Sequence, residues 1–148
     1  MPNRIEEVKR KEQIRDFKDY LRHYRKALKE IPIFENMIQK CYQELGGYKS
    51  PIIFGVRTKS PPNKDREYEL RALIDEYEDM IKAHMTVSRY VVKILTRMKE
   101  DDRNIILDVY VKRKTIDEVA FELGYAHSTM CERIDEIILK ALNSDFSR

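Results

Sequence analysis

Residues Thr115 to Leu142 read TIDEVAFELGYAHSTMCERIDEIILKAL, and the spacing within this stretch decides how the chain is understood. Two short helices joined by a turn of three or four residues must cross at a steep angle, and so close a crossing restricts a few positions. Ala120 falls where the first helix comes nearest the second, which demands a small side chain. Gly124 follows four residues later, in a turn that favours a residue tolerant of positive φ. Val119 and Leu123 on the first helix, and Met130, Ile134, Ile137, Ile138 and Ala141 on the second, recur at helical spacing and predict a shared apolar seam. Thr115 supplies a capping hydroxyl, and Glu118 completes a Thr-x-x-Glu capping box. Upstream, Ile105, Ile106, Leu107, Val109 and Tyr110 predict a third helix that Asp101 or Asp102 could cap. The expectation is a helix-turn-helix, whose second helix enters the DNA major groove.

With Met130 and Ile134 turned inward, His127, Ser128, Cys131, Glu132 and Asp135 lie on the outer face and are the candidate base contacts. A glutamate can accept from cytosine N4, and serine can pair with several bases. Lys112, Arg113 and Lys114, with Thr129 and Arg133, are the candidate DNA backbone contacts; a merely solvated basic turn is the competing account of the trio. Ala126 offers no capping oxygen to the second helix, so either Ser128 or a backbone alternative must serve.

An apolar helix ending in Tyr110, the basic turn Lys112 to Lys114, Thr-Ile-Asp-Glu-Val-Ala, Glu-Leu-Gly-Tyr, then Ser-Thr-Met before an amphipathic helix ending at Leu142, together resemble region 4 of the σ70-type factors. The resemblance covers residues 103 to 142 and implies recognition of a promoter −35 element. The family often carries Arg or Gln where this chain has Cys131 and Glu132, and Ser or Thr where it has Ala126. In architecture the whole chain resembles small phage late-gene transcription activators of the ArpU/RinA type. That resemblance implies a lone σ-like DNA-reading end behind a helical oligomerisation segment, working with RNA polymerase.

Charge is less helpful than the motif. The net charge of the 148 residues is +3, but residues 103 to 148 hold seven basic against eight acidic residues. Affinity for DNA comes largely from Lys and Arg neutralising phosphates, so such a module binds weakly alone. It needs added basic surface, a partner copy or polymerase. Residues 1 to 30 carry ten Lys/Arg against six Asp/Glu, and the loop at 46–64 carries Lys49, Arg57, Lys59 and Lys64 with no acid.

Ahead of the motif, Ile14, Phe17, Leu21, Tyr24, Leu28, Ile31, Ile38, Tyr42 and Leu45 mark a long helix with a narrow seam, broken at Glu35. Pro32 predicts a kink or restart, and Gly46 a left-handed cap. The loop at 46–64, with its Ile52-Ile53-Phe54 run, either packs on the helices or forms a basic arm for DNA or a partner. A second long helix, from Asp65 to about Lys99, carries Leu70, Leu73, Tyr77, Met80, Ile81, Val87, Val91, Ile94 and Met98 on one face. The fold class expected is all-α: a long, coiled-coil-like helical hairpin over 1–100, then a three-helix helix-turn-helix domain over 101–148. The seams could pair within one chain or between chains, and stripes so narrow favour a homo-oligomer, a dimer first.

No leader-like segment and no stretch of eighteen apolar residues occurs, so the expectation is a cytoplasmic protein without a membrane partner. Catalysis finds no motif. His127 and Cys131 stand one turn apart without further ligands, so neither metal nor cofactor is expected. Asp75, Glu76, Glu78 and Asp79 fit the wet face of a helix, and His84 a buried or half-buried seam position with one hydrogen bond. The function expected is therefore a non-enzymatic, sequence-specific regulator of transcription bound to double-stranded DNA. Two alternatives stand beside it: a packaging factor like a phage small terminase, and a protein-interaction module without DNA binding.

Overall fold

A computed structural model describes residues 3–47 and 64–144, so the basic loop expected at 46–64 lies almost wholly outside the described residues. The described residues form five helices and no strand: α1 (Arg4–Gly47), α2 (Lys64–Thr96), α3 (Glu100–Tyr110), α4 (Ile116–Leu123) and α5 (His127–Leu142). No helix among them is long and apolar enough to cross a membrane. The chain divides into two compact units, Met1–Lys26 with Thr86–Arg148, and Ala27–Met85. The division falls inside α1 and α2, so the start of α1 belongs with α3, α4 and α5.

The first unit holds the larger core. Phe17 and Leu21 of α1, Val91, Ile94 and Leu95 of α2, Ile106 and Tyr110 of α3, Val119 and Ala120 of α4, and Met130, Ile134, Ile137, Ile138 and Ala141 of α5 are buried in one cluster. The ring of Tyr90 meets Phe17 edge-on at 6.3 Å, an aromatic geometry that the ring quadrupoles favour. Helix ends close on one another through arginines. Arg103 donates from Nε to the carbonyl of Leu95 and from Nη2 to that of Met98, each at 3.0 Å, at the C-terminal end of α2 and just past it. Arg97 does the same for Ala141 at the end of α5, at 3.1 Å.

In the second unit the buried side chains are Ile38 and Cys41 of α1 and Leu70 and Ile74 of α2, flanked by Leu45, Leu73, Tyr77 and Ile81. The pairs Glu30 with His84 at 2.8 Å and Glu44 with Arg66 at 3.0 Å show that the two segments run in opposite senses. His84 is half-buried as expected, stacked on Phe34.

Several local expectations are corrected. Pro32 does not restart α1, which runs through it without interruption. Gly46 sits within the helix, and Gly124 is the only described glycine with positive φ. Glu35 does not break the seam, because Phe34 takes over and stacks on Tyr77 at 5.8 Å. Beyond it Cys41 is buried and Tyr42 exposed, so the buried position falls one residue earlier than the seven-residue repeat places it. Leu28 and Met80 are exposed as well. Helix α2 stops at Thr96 rather than near Lys99, its last turn tightened by the Met98 amide donating to the Leu95 carbonyl at 3.1 Å. Lys99, not Asp101 or Asp102, is the N-cap of α3, and no side chain caps it.

Candidate functional site

Between Thr115 and Leu142 the backbone follows from the local chemistry. Thr115 has extended dihedrals, and its Oγ1 accepts from the Glu118 amide at 3.1 Å, satisfying one of the free donors that begin α4. At the other end Gly124 takes φ 76°, its amide donating to Phe121 and the Tyr125 amide to Ala120 at 2.8 Å. That pair of bonds is a Schellman motif, available because glycine enters the left-handed region without a Cβ penalty. Ala126 then opens α5 with extended dihedrals and no side-chain cap; neither Ser128 nor any other side chain replaces one.

Packing follows the expected seam at most positions. Ala120, Met130 and Ile134 are buried together, and α5 rests on both α4 and α3. Leu123 departs from it. As the last residue of α4 it is half-exposed, on the rim of an open groove rather than in the core.

The outer face of α5 is less uniform than its spacing implied. Ser128, Thr129 and Glu132 are exposed, whereas Cys131 and Asp135 are partly covered. His127 is exposed but shares a hydrogen bond between Nδ1 and Oδ1 of Asp117, at the start of α4. Asp135 binds Nζ of Lys18, on α1, at 2.7 Å. Arg133 reaches back to Asp102 of α3 at 3.0 Å. Asp102, expected as a cap, thus serves as an ion-pair partner instead.

The basic turn is unevenly engaged. Lys114 binds Glu122 at 3.2 Å and lies 3.9 Å from Asp108; the hydrogen bond to Glu122, then the nearby carboxylates, raises its pKa above the usual lysine value. Lys112 stands 3.5 Å from Asp108 and is largely exposed, a weak surface pair. Arg113 adopts φ 63°, the only positive φ outside glycine among the described residues, and makes no described hydrogen bond or ion pair. Of the five expected backbone contacts, Arg113 and Thr129 are therefore free, Lys112 nearly so, and Lys114 and Arg133 are held within the fold.

Sequence spacing missed the contribution of α1. Lys11, Arg15, Lys18 and Arg22, together with Ile14 and Asp135 of α5, line an open groove of about 210 Å³. The signal was present, since positions 11, 15, 18 and 22 advance by four, three and four and so share a helix face. Burial lowers the Lys18 pKa, but the bonds and fields of Asp135 and Tyr110 outweigh it and the net shift is upward. Burial also pushes the Tyr110 hydroxyl above its ordinary value, against the opposing influence of Lys18 and Arg22. The unit containing α3, α4 and α5 therefore holds twenty Lys/Arg against sixteen Asp/Glu, while Ala27–Met85 holds nine against ten. Basic surface missing from the motif itself is present in its own unit.

A second groove, of about 480 Å³, lies between α3, α4 and α5, lined by Asp101, Asp108, Glu122 and Arg133 and by the apolar Ile105, Val119 and Leu123. Among the described residues no group of three or more His, Cys, Asp or Glu side chains is placed to hold a metal ion. Compared with family models, with curated proteins and with solved structures, the chain matches none.

Proposed function

We propose that this chain is a sequence-specific regulator of transcription, with α4, the Gly124 turn and α5 forming a helix-turn-helix that reads double-stranded DNA. The observation that carries the proposal is the pairing of α4 and α5 through Ala120, Met130 and Ile134 around a left-handed glycine, while Ser128, Thr129 and Glu132 stay exposed near the start of α5. Helices of this kind read bases with their N-terminal residues. On this proposal Ser128 and Glu132 lead the readout. His127, Cys131 and Asp135 are secondary because each is partly covered or bonded within the fold. Arg113 and Lys112 lead the backbone contacts.

The σ region 4 resemblance supports placing this activity beside RNA polymerase, in the manner of phage or prophage late-gene activators. The α1 and α2 segments of Ala27–Met85 would then be the helical hairpin that brings copies together, a dimer first. Selection of bound fragments from random duplexes, with and without polymerase, tests the proposal. Ser128→Ala with Glu132→Ala should change which sequences are selected, while neutralising Lys112 to Lys114 should weaken all sequences alike. Selection of no fragment under either condition would overturn it.

A protein-interaction module is the second candidate, favoured by one observation. Phe121 is 88% exposed, with Leu123 and Tyr125 half-exposed nearby in sequence, and apolar side chains gathered at a helix end suit a protein partner.

A further inference from the structure

We infer that the cationic stripe of α1, Lys11, Arg15 and Arg22, holds the phosphate backbone of duplex DNA along the edge of the groove that α5 enters. The inference rests on the DNA-reading proposal and adds to it a second element and three residues. Asp135 connects the two surfaces. It stands seven residues after Ser128 and four after Cys131, on the same face of α5, and it also borders the α1 stripe. At about 1.5 Å per residue, the reading positions at Ser128 lie roughly 10 Å along the helix axis from that border. The major groove is about 12 Å wide, so a helix inserted by its N-terminal end brings its next turns level with the flanking phosphates.

The charges fit this role. Asp135 alone would repel a phosphate, but Lys18 neutralises it at 2.7 Å. Lys11 and Arg15 make no described hydrogen bond or ion pair, and Arg22 has only the exposed Asp19, at 2.6 Å on its own helix. An exposed pair such as this is weak and exchanges readily for a phosphate. Two unpaired cations and one loosely paired one thus share a helix face beside a neutralised carboxylate. Guanidinium groups in such a row bind phosphate oxygens in bidentate fashion.

The test is a salt titration of the full chain on a random-sequence duplex, followed by fluorescence anisotropy. Each phosphate contact contributes about 0.9 to the slope of log K against log salt concentration. The variant Lys11→Gln, Arg15→Gln, Arg22→Gln should therefore flatten the slope by about three contacts' worth while leaving the ranking of selected sequences unchanged. The charge-keeping variant Lys11→Arg, Arg15→Lys, Arg22→Lys should restore most of the slope, and matching helical circular dichroism shows that all three proteins are folded. If wild type binds and the glutamine variant keeps its slope, the inference fails and the DNA-reading proposal stands. If wild type binds no duplex even at about 50 mM salt, both fail. If the glutamine variant instead loses binding to single-stranded RNA or to anionic vesicles while its duplex slope stays the same, the stripe serves another partner and the inference is overturned.

Discussion

Arg113 is the residue whose backbone works against the fold. A side chain in the left-handed region costs about 1–2 kcal/mol, and the φ of 63° places Arg113 there. Substituting glycine, Arg113→Gly, should raise stability by up to about 1 kcal/mol, read from the urea midpoint, because glycine's extra freedom in the unfolded chain offsets part of the relief. On the proposed DNA-reading role, the same change should weaken duplex binding and reduce its salt slope by about one phosphate contact. Gly124 predicts the opposite sign. A Cβ added there would meet nothing within 4 Å, so Gly124→Ala should cost only the conformational penalty, about 1 kcal/mol. Gly124 was legible in the sequence because a steep crossing after Ala120 demands such a residue. Nothing in Lys112-Arg113-Lys114 announces a left-handed turn, since a basic run has no residue that prefers one. Lys18 and Tyr110 give a pH prediction. Both pKa values are raised on folding, so the folded state holds these protons more tightly. Their contribution is intact below the ordinary lysine and tyrosine values, about 10, and is lost as pH rises through the higher folded ones. Urea midpoints should hold level to about pH 9.5 and then fall. Tyr110→Phe should delay that fall, and an unchanged profile would refute the tyrosine's share.

Helix by helix, the sequence revealed that a face is buried more reliably than which residue ends the stripe. Positions 14, 17 and 21 of α1 behave as the spacing predicts, whereas further along the buried position falls on Cys41, one residue before the expected Tyr42. Caps were legible only where a side chain makes them. Thr115 does, and Thr115→Ala should cost about 1 kcal/mol in urea unfolding. The N-caps of α3 and α5 have no side-chain bond, so no residue type could mark them. Pro32 is the clearest element-scale test. It lies exposed within α1, where it removes the amide that would donate to the Leu28 carbonyl and crowds that oxygen with its ring. Pro32→Ala should therefore stabilise the helix by up to about 3 kcal/mol. A loss of stability would mean that the restriction proline places on the unfolded chain outweighs the missing hydrogen bond.

At the scale of the molecule, the two units differ in how much they bury, and that difference was not legible because periodicity reports a buried face without naming what covers it. Phe17 and Leu21 read like Ile31 and Ile38, yet the first two belong to a cluster of fifteen buried side chains and Ile38 to a cluster of only four. Local opening costs less where fewer apolar contacts are lost. In Ala27–Met85, Ile33, Met37, Tyr42, Tyr68 and Met85 are left exposed, so little apolar area opposes the entropy of freeing two helical segments. Amide hydrogens around Ile38 and Ile74 should therefore exchange well before those around Val91, Ile106 and Ile134 in a dilute sample. A second copy that covers the exposed side chains would change this, because anything that binds the closed form stabilises it by mass action. Protection around Ile38 and Ile74 should then rise with protein concentration while that around Ile134 stays constant. Equal protection of both units at every concentration would show that the four-residue core suffices alone, and would remove the argument from burial for a dimer.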